Sequence, residues 1–97
     1  MTLQDLFTSP DKWTQGAYAR DASGYSVSPI SRRAVAWCLN GALAKCYGDY
    51  DNGHTRYYEV ATRIKQAIEP QYRIAHWNDT KGRTFEEVCE LVKTLDL

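Results

Sequence analysis

A cysteine, a histidine and an orienting amide or carboxylate are the parts of a cysteine hydrolase, and this chain holds one such set in Cys38, His76 and Asn78 or Asp79. A reactive thiolate favours a helix N-terminus or a cationic neighbour. Cys38 instead stands between Trp37 and Leu39 on the apolar side of an expected helix, where a free cysteine usually packs as a small hydrophobe. A metal needs close ligand pairs. Cys38 and Cys46 lie about two helical turns apart, and His54 and His76 stand alone, so zinc is not expected. The stretch from Asp49 to Gly53 invites calcium. Counted as an EF-hand loop, it puts Gly53, His54 and Val60 where Asp or Asn, Gly and Glu belong, so a turn is expected. No glycine-rich phosphate loop is present, since Gly48 and Gly53 lack the spacing and the following Lys. No cofactor is expected.

Binding chemistry is better represented. Trp13, Tyr18, Arg20 and Trp37 in the first half, with His76, Trp77, Asn78 and Asp79 in the second, would make an aromatic patch with hydrogen-bonding edges if they converged. That composition suits a protein contact or a pocket for a planar ligand. For a nucleotide-like ligand, Trp37 and Trp77 would stack and Arg20 or Arg73 would hold charge. The alternative is that the indoles fill a small core with each N–H on a carbonyl. A second mixture runs from Arg56 to Arg83. Arg56, Arg63, Lys65, Arg73, Lys81 and Arg83 interleave there with Tyr57, Tyr58, Tyr72 and Trp77, and outnumber Glu59, Glu69 and Asp79. Tyrosines among cations can hold a nucleic-acid strand by stacking and phosphate contact.

The elements that position these residues fit a chain of 97 residues, one small domain. Thr2 to Phe7 predicts a short helix capped by Thr2 with Asp5, redirected at Ser9-Pro10-Asp11. Trp13 to Val27 predicts a β-hairpin around Asp21-Ala22-Ser23-Gly24, a type I turn closed by a glycine with positive φ, and brings Tyr18 near Tyr25. Ser28 to Tyr47 predicts a central buried helix, with Ser28 as N-cap, Pro29 in the first turn and Gly48 closing it. Gly41 within it would cost about 1 kcal/mol against Ala, so another backbone or ring should approach closely there.

Gly48 to His54 reads as a loop. Thr55 to Glu69 predicts an amphipathic helix with Tyr57, Val60, Ala61, Ile64, Ala67 and Ile68 inward, stopped by Pro70. Gln71 to Arg83 reads as irregular, with an extended piece at Tyr72 to Ala75. Thr84 to Leu95 predicts a last helix opened by a Thr84–Glu87 capping box. The expected architecture is α+β: a β-hairpin packed on a core of three to four helices.

Lys plus Arg and Asp plus Glu both number 12, so the formal charge is zero. That excludes a strongly basic nucleic-acid binder and an acidic disordered tail, and leaves little self-repulsion to oppose self-association. An odd number of cysteines, 3, argues against a disulfide framework. The opening residues lack the pattern of a signal peptide and no apolar run is long enough for a membrane span. A cytosolic protein with reduced thiols is expected.

The Trp37-Cys38-Leu39-x-Gly41-Ala42 and Trp77-Asn78-Asp79 stretches stand in order after Trp13-x-x-Gly16-x-Tyr18-Ala19-Arg20-Asp21 and before Thr84-x-x-Glu87-Val88. This series resembles a family of small bacterial and phage proteins known as a domain of unknown function. The resemblance implies a bacterial or phage source and a shared task for Trp77, Asn78 and Asp79, and carries no catalytic residues. The expected function is non-enzymatic docking on a macromolecular partner, most simply a protein, with an inhibitor of a host defence complex as one case. Capture of a nucleotide-like molecule and a cysteine-dependent hydrolase are the alternatives.

Overall fold

The computed structural model describes residues 1–48, 55–68 and 73–97. Among the described residues, five helices accompany a minimal sheet: α1 (Leu3–Leu6), β1 (Ala19–Arg20), β2 (Ala36–Trp37), α2 (Leu39–Tyr47), α3 (Thr55–Ala67), α4 (Ile74–Asp79) and α5 (Phe85–Thr94). A 3-10 turn, Pro10–Lys12, follows α1 where Ser9-Pro10-Asp11 predicts a change of direction. The small α+β domain expected from the sequence is present.

Two helices begin where the capping residues put them. Thr2 and Asp5 form a reciprocal capping box at α1, and Thr84 and Glu87 form another at α5. Backbone and hydroxyl hydrogen bonds from Thr84, helped by Arg83, hold the Glu87 carboxyl below its ordinary range, and Thr2 does the same for Asp5. A depressed carboxylate pKa stabilises the fold above the ordinary pKa, and that contribution is lost as pH falls through the depressed value. Glu87→Gln is therefore expected to flatten the acid limb of the stability curve below about pH 4. Thermal melts of both proteins across that range check it.

The sheet corrects the sequence reading of residues 28–38. Their helix does not form, and α2 begins only after Cys38. Ser28 Oγ accepts from the Ile30 amide and Ser31 Oγ from the Arg33 amide, while the Ser28 and Ser31 carbonyls close turns onto Ser31 and Ala34. Serines that capture nearby amides compete with helical bonding. The following Ala-Val-Ala-Trp then extends, and β2 pairs antiparallel with β1: Ala19 opposite Trp37, Arg20 opposite Ala36.

The expected hairpin survives as a narrower feature. Arg20 bridges Ser26, Asp21 N–H donates to the Tyr25 carbonyl, and Gly24 closes the turn at φ 88°. Tyr25 thus faces Asp21 and not Tyr18. On the other side of β2, Trp13 forms a parallel bridge with Trp37.

Around this sheet, α2 packs against α1, α3 and α4, and α1 against α5. Leu3, Leu39, Leu43, Val60, Ile64 and Val88 are fully buried at the centre. Burying each such side chain contributes roughly 1.5–3 kcal/mol. On α3, Val60 and Ile64 face inward as expected, with Ile68 buried just past its end, while Ala67 is exposed. The extended piece expected up to Ala75 is, over its described part, the start of α4; helical spacing there sets Ile74 and Asn78 on one buried face. The loop from Asp49 to His54, its calcium reading, the stop at Pro70 and Tyr72 lie outside the described residues.

Candidate functional site

Asn78 is fully buried, and every hydrogen-bonding group of its side chain is used. Its Oδ1 accepts from Trp13 Nε1 at 2.6 Å and from the Leu39 amide at 3.0 Å. Its Nδ2 donates to the Thr14 carbonyl at 3.1 Å and to Asp79 Oδ1 at 2.9 Å. Asp79 Oδ1 also accepts from the Gly16 amide at 3.0 Å. Gln15 Nε2 donates to the Asn78 and Thr80 carbonyls. The Trp-Asn-Asp stretch therefore ties three distant segments together: residues 13–16, the first turn of α2, and α4.

The remaining expected residues divide. Trp37 is buried, with its Nε1 on the Pro29 carbonyl at 2.9 Å, so it offers no ring for stacking. Arg20 reaches Thr14 Oγ1, the Gln15 carbonyl and the Gly24 carbonyl, locking the turn to the Thr14–Gln15 backbone. Trp77 lies beneath the Arg83 guanidinium, 4.0 Å from its ring centroid, and Arg83 also pairs with Glu87. His76 is exposed on α4. The three indoles do not share one open surface.

Cys38 is the N-cap of α2, not a residue deep inside a helix. Its Sγ accepts from the Gly41 amide at 3.2 Å. A helix N-terminus ordinarily favours the thiolate. Here burial dominates and pushes the thiol up, with Asp79 adding to it against the Gly41 hydrogen bond. Burial also pushes Cys46 up to about 11 and raises Cys89. All three cysteines are free. Iodoacetamide at neutral pH should therefore label the native protein slowly, Cys38 slowest of all, and label it readily in urea. Mass spectrometry of timed samples reads this out; rapid native labelling of Cys38 would return the thiol to consideration as a nucleophile. Among the described residues, no cluster of three His, Cys, Asp or Glu is placed to hold a metal.

Tyr18 and Arg73 sit elsewhere, in an open groove of about 400 Å³ between β1, α3 and α4. Helical spacing on α3 adds Tyr58, Ala61, Thr62 and Lys65, and Asn40 enters from α2. The Tyr57 and Tyr58 rings form a T-shaped pair, centroids 5.5 Å apart, and the Tyr57 hydroxyl donates to Asn40 Oδ1 at 3.3 Å. The sequence signal for this groove was the mixture of tyrosines and cations after Arg56. What it lacked was the helical phase that separates Lys65 from Arg63, whose guanidinium is spent on the Leu95 carbonyl.

Apolar side chains are also exposed away from the groove: Tyr25 (73%), Ile30 (63%) and Val35 (44%) all come from one segment. Val35 donates to the Arg20 carbonyl and Tyr25 accepts from Asp21, so both lie beside the Arg20–Asp21 step.

No curated protein and no solved structure matches the chain. A sequence family does, over residues 4–95, nearly the whole length, and it spans the Thr84–Glu87 capping box, the buried Asn78 hub and the groove alike. The chain belongs to that family, described as Family of unknown function (DUF6197).

Proposed function

We propose that this domain is a non-enzymatic binding protein that docks on a protein partner through the face carrying Tyr25, Ile30 and Val35. The observation that carries this reading is the concentration of exposed large apolar side chains in one short, well-braced segment. Isolated exposed apolar residues are ordinary, but a group of them beside arginines resembles an interface. Arg32 and Arg33 are exposed within the same segment. The Arg20 clamp and the Asp21 turn fix the segment's shape before contact, which lowers the ordering cost of association. Three free thiols suit a reducing cytoplasm. The bacterial and phage distribution implied by the sequence resemblance supports one form of this reading, an inhibitor of a host defence complex.

The test is sedimentation velocity of labelled protein, alone and in bacterial lysate. Tyr25 and Ile30 are solvent-exposed, so the double variant Tyr25→Ser, Ile30→Ser should shift stability by no more than about 0.5 kcal/mol per site. A faster-sedimenting species formed by the wild type and lost in the variant supports docking. A complex that survives the double substitution, or no complex at any concentration, removes this face from consideration. Faster sedimentation of the purified protein alone would identify the partner as a second copy.

A further inference from the structure

We infer that the groove between β1, α3 and α4 binds a nucleotide unit, a planar base joined to phosphate, independently of the docking face. Three of the six cations between Arg56 and Arg83 are committed. Arg56 lies over the Tyr47 ring and beside Glu59, Arg63 holds the Leu95 carbonyl, and Arg83 holds Trp77 and Glu87. Lys65 and Arg73 are the ones that line the groove, both exposed, and among the described residues no carboxylate pairs with either. Two cations converge on a concave surface from different elements, α3 and the N-cap of α4. Such a pair favours an anion with concentrated charge, and phosphate fits it.

The other half of the ligand follows from the tyrosines. Tyr58 is half exposed, and its ring packs perpendicular to that of Tyr57, which Asn40 anchors in turn. A ring fixed before binding is a stacking platform with little entropy left to lose. Tyr18 supplies a further exposed ring on the β1 side of the groove. The groove, about 400 Å³, is within the range of small-ligand sites. Aromatic faces and paired cations around a space of that size match a base with its phosphate better than a neutral aromatic or a bare anion.

The unit can come from a free mononucleotide or from a single strand, and titration separates the two. AMP, adenosine, inorganic phosphate and an oligodeoxyadenylate of about ten nucleotides are titrated into the purified full chain at low and moderate salt, followed by calorimetry. AMP should bind, with adenosine and phosphate each at least about tenfold weaker. Equal affinity for AMP and the oligomer identifies the free nucleotide. An oligomer at least about tenfold tighter, with an affinity that falls as salt rises, identifies a strand. Tyr58→Ala should weaken either by about tenfold, and Lys65→Glu with Arg73→Glu should abolish it while the melting temperature stays near that of the wild type. Should the double variant not fold, Tyr58→Ala alone decides. The inference is overturned by no binding up to about 1 mM, by adenosine matching AMP, or by binding that survives these substitutions.

Discussion

Asn78→Ala is expected to remove about 3–5 kcal/mol of stability, although the residue lies on the short helix α4 and the change deletes little apolar surface. The loss comes from what the amide leaves behind. The Leu39 amide is buried in the first turn of α2, where no carbonyl of its own helix can accept it, and Asn78 Oδ1 takes that role. The same oxygen receives Trp13 Nε1–H, and Nδ2 satisfies the Thr14 carbonyl. Each buried group left without a partner costs about 1–3 kcal/mol. Against a typical domain stability of about 5–15 kcal/mol, that is a large share.

Urea unfolding measures the effect, and two companion variants locate it. Trp13→Phe removes a single donor and leaves Leu39 satisfied, so it should cost less than half as much, and the double variant should fall short of the sum. Asn78→Asp keeps the acceptor but buries a carboxyl beside Asp79, which raises its pKa. A buried carboxyl with a raised folded pKa destabilises once it ionises, so this variant should lose most relative to wild type at high pH and least at low pH. Wild-type stability in Asn78→Ala would show that water replaces the amide and that the hub does not hold the three segments together.

How much of this was legible beforehand depended on the range of the interaction. Thr2 with Asp5 and Thr84 with Glu87 meet across one helical turn, so spacing alone exposed both caps. Gly24 closing the Asp21 turn was legible for the same reason. Residues 28–38 were not. Their apolar spacing suits a helix, but Ser28 and Ser31 hold the local amides, and Ala36–Trp37 finds a strand partner many residues earlier. Trp-Asn-Asp was visible as a distinctive stretch, yet its contacts run to Trp13, Thr14, Gly16 and Leu39, none of them local. The groove was visible only as a composition of tyrosines and cations. Its geometry needed the phase of α3 and the placement of Arg73 beside it.

Gly41→Ala is the second large effect, and its sign opposes the helical rule. In an exposed helix the change would stabilise by about 1 kcal/mol, because alanine loses less backbone entropy. In this chain a Cβ at Gly41 would stand 1.9 Å from the Tyr18 carbonyl oxygen and 2.8 Å from its carbon. Those are backbone atoms, and Tyr18 cannot swing aside without moving β1. That carbonyl also accepts the Cys38 amide at 3.2 Å, just before α2 begins. Relief would therefore push α2 away from β1, strain the Ala19–Trp37 pairing and loosen the Gly41 amide's bond to Cys38 Sγ. Overpacking ordinarily costs about 1–3 kcal/mol, and contact with fixed backbone puts this case at or above the upper end. Thermal and urea unfolding should both show the loss. Because Tyr18 also borders the groove, AMP affinity should fall in the same variant even where enough protein stays folded to titrate. An alanine variant as stable as the wild type would mean that α2 does not approach β1 this closely, and that the small residue serves nothing beyond the helix itself.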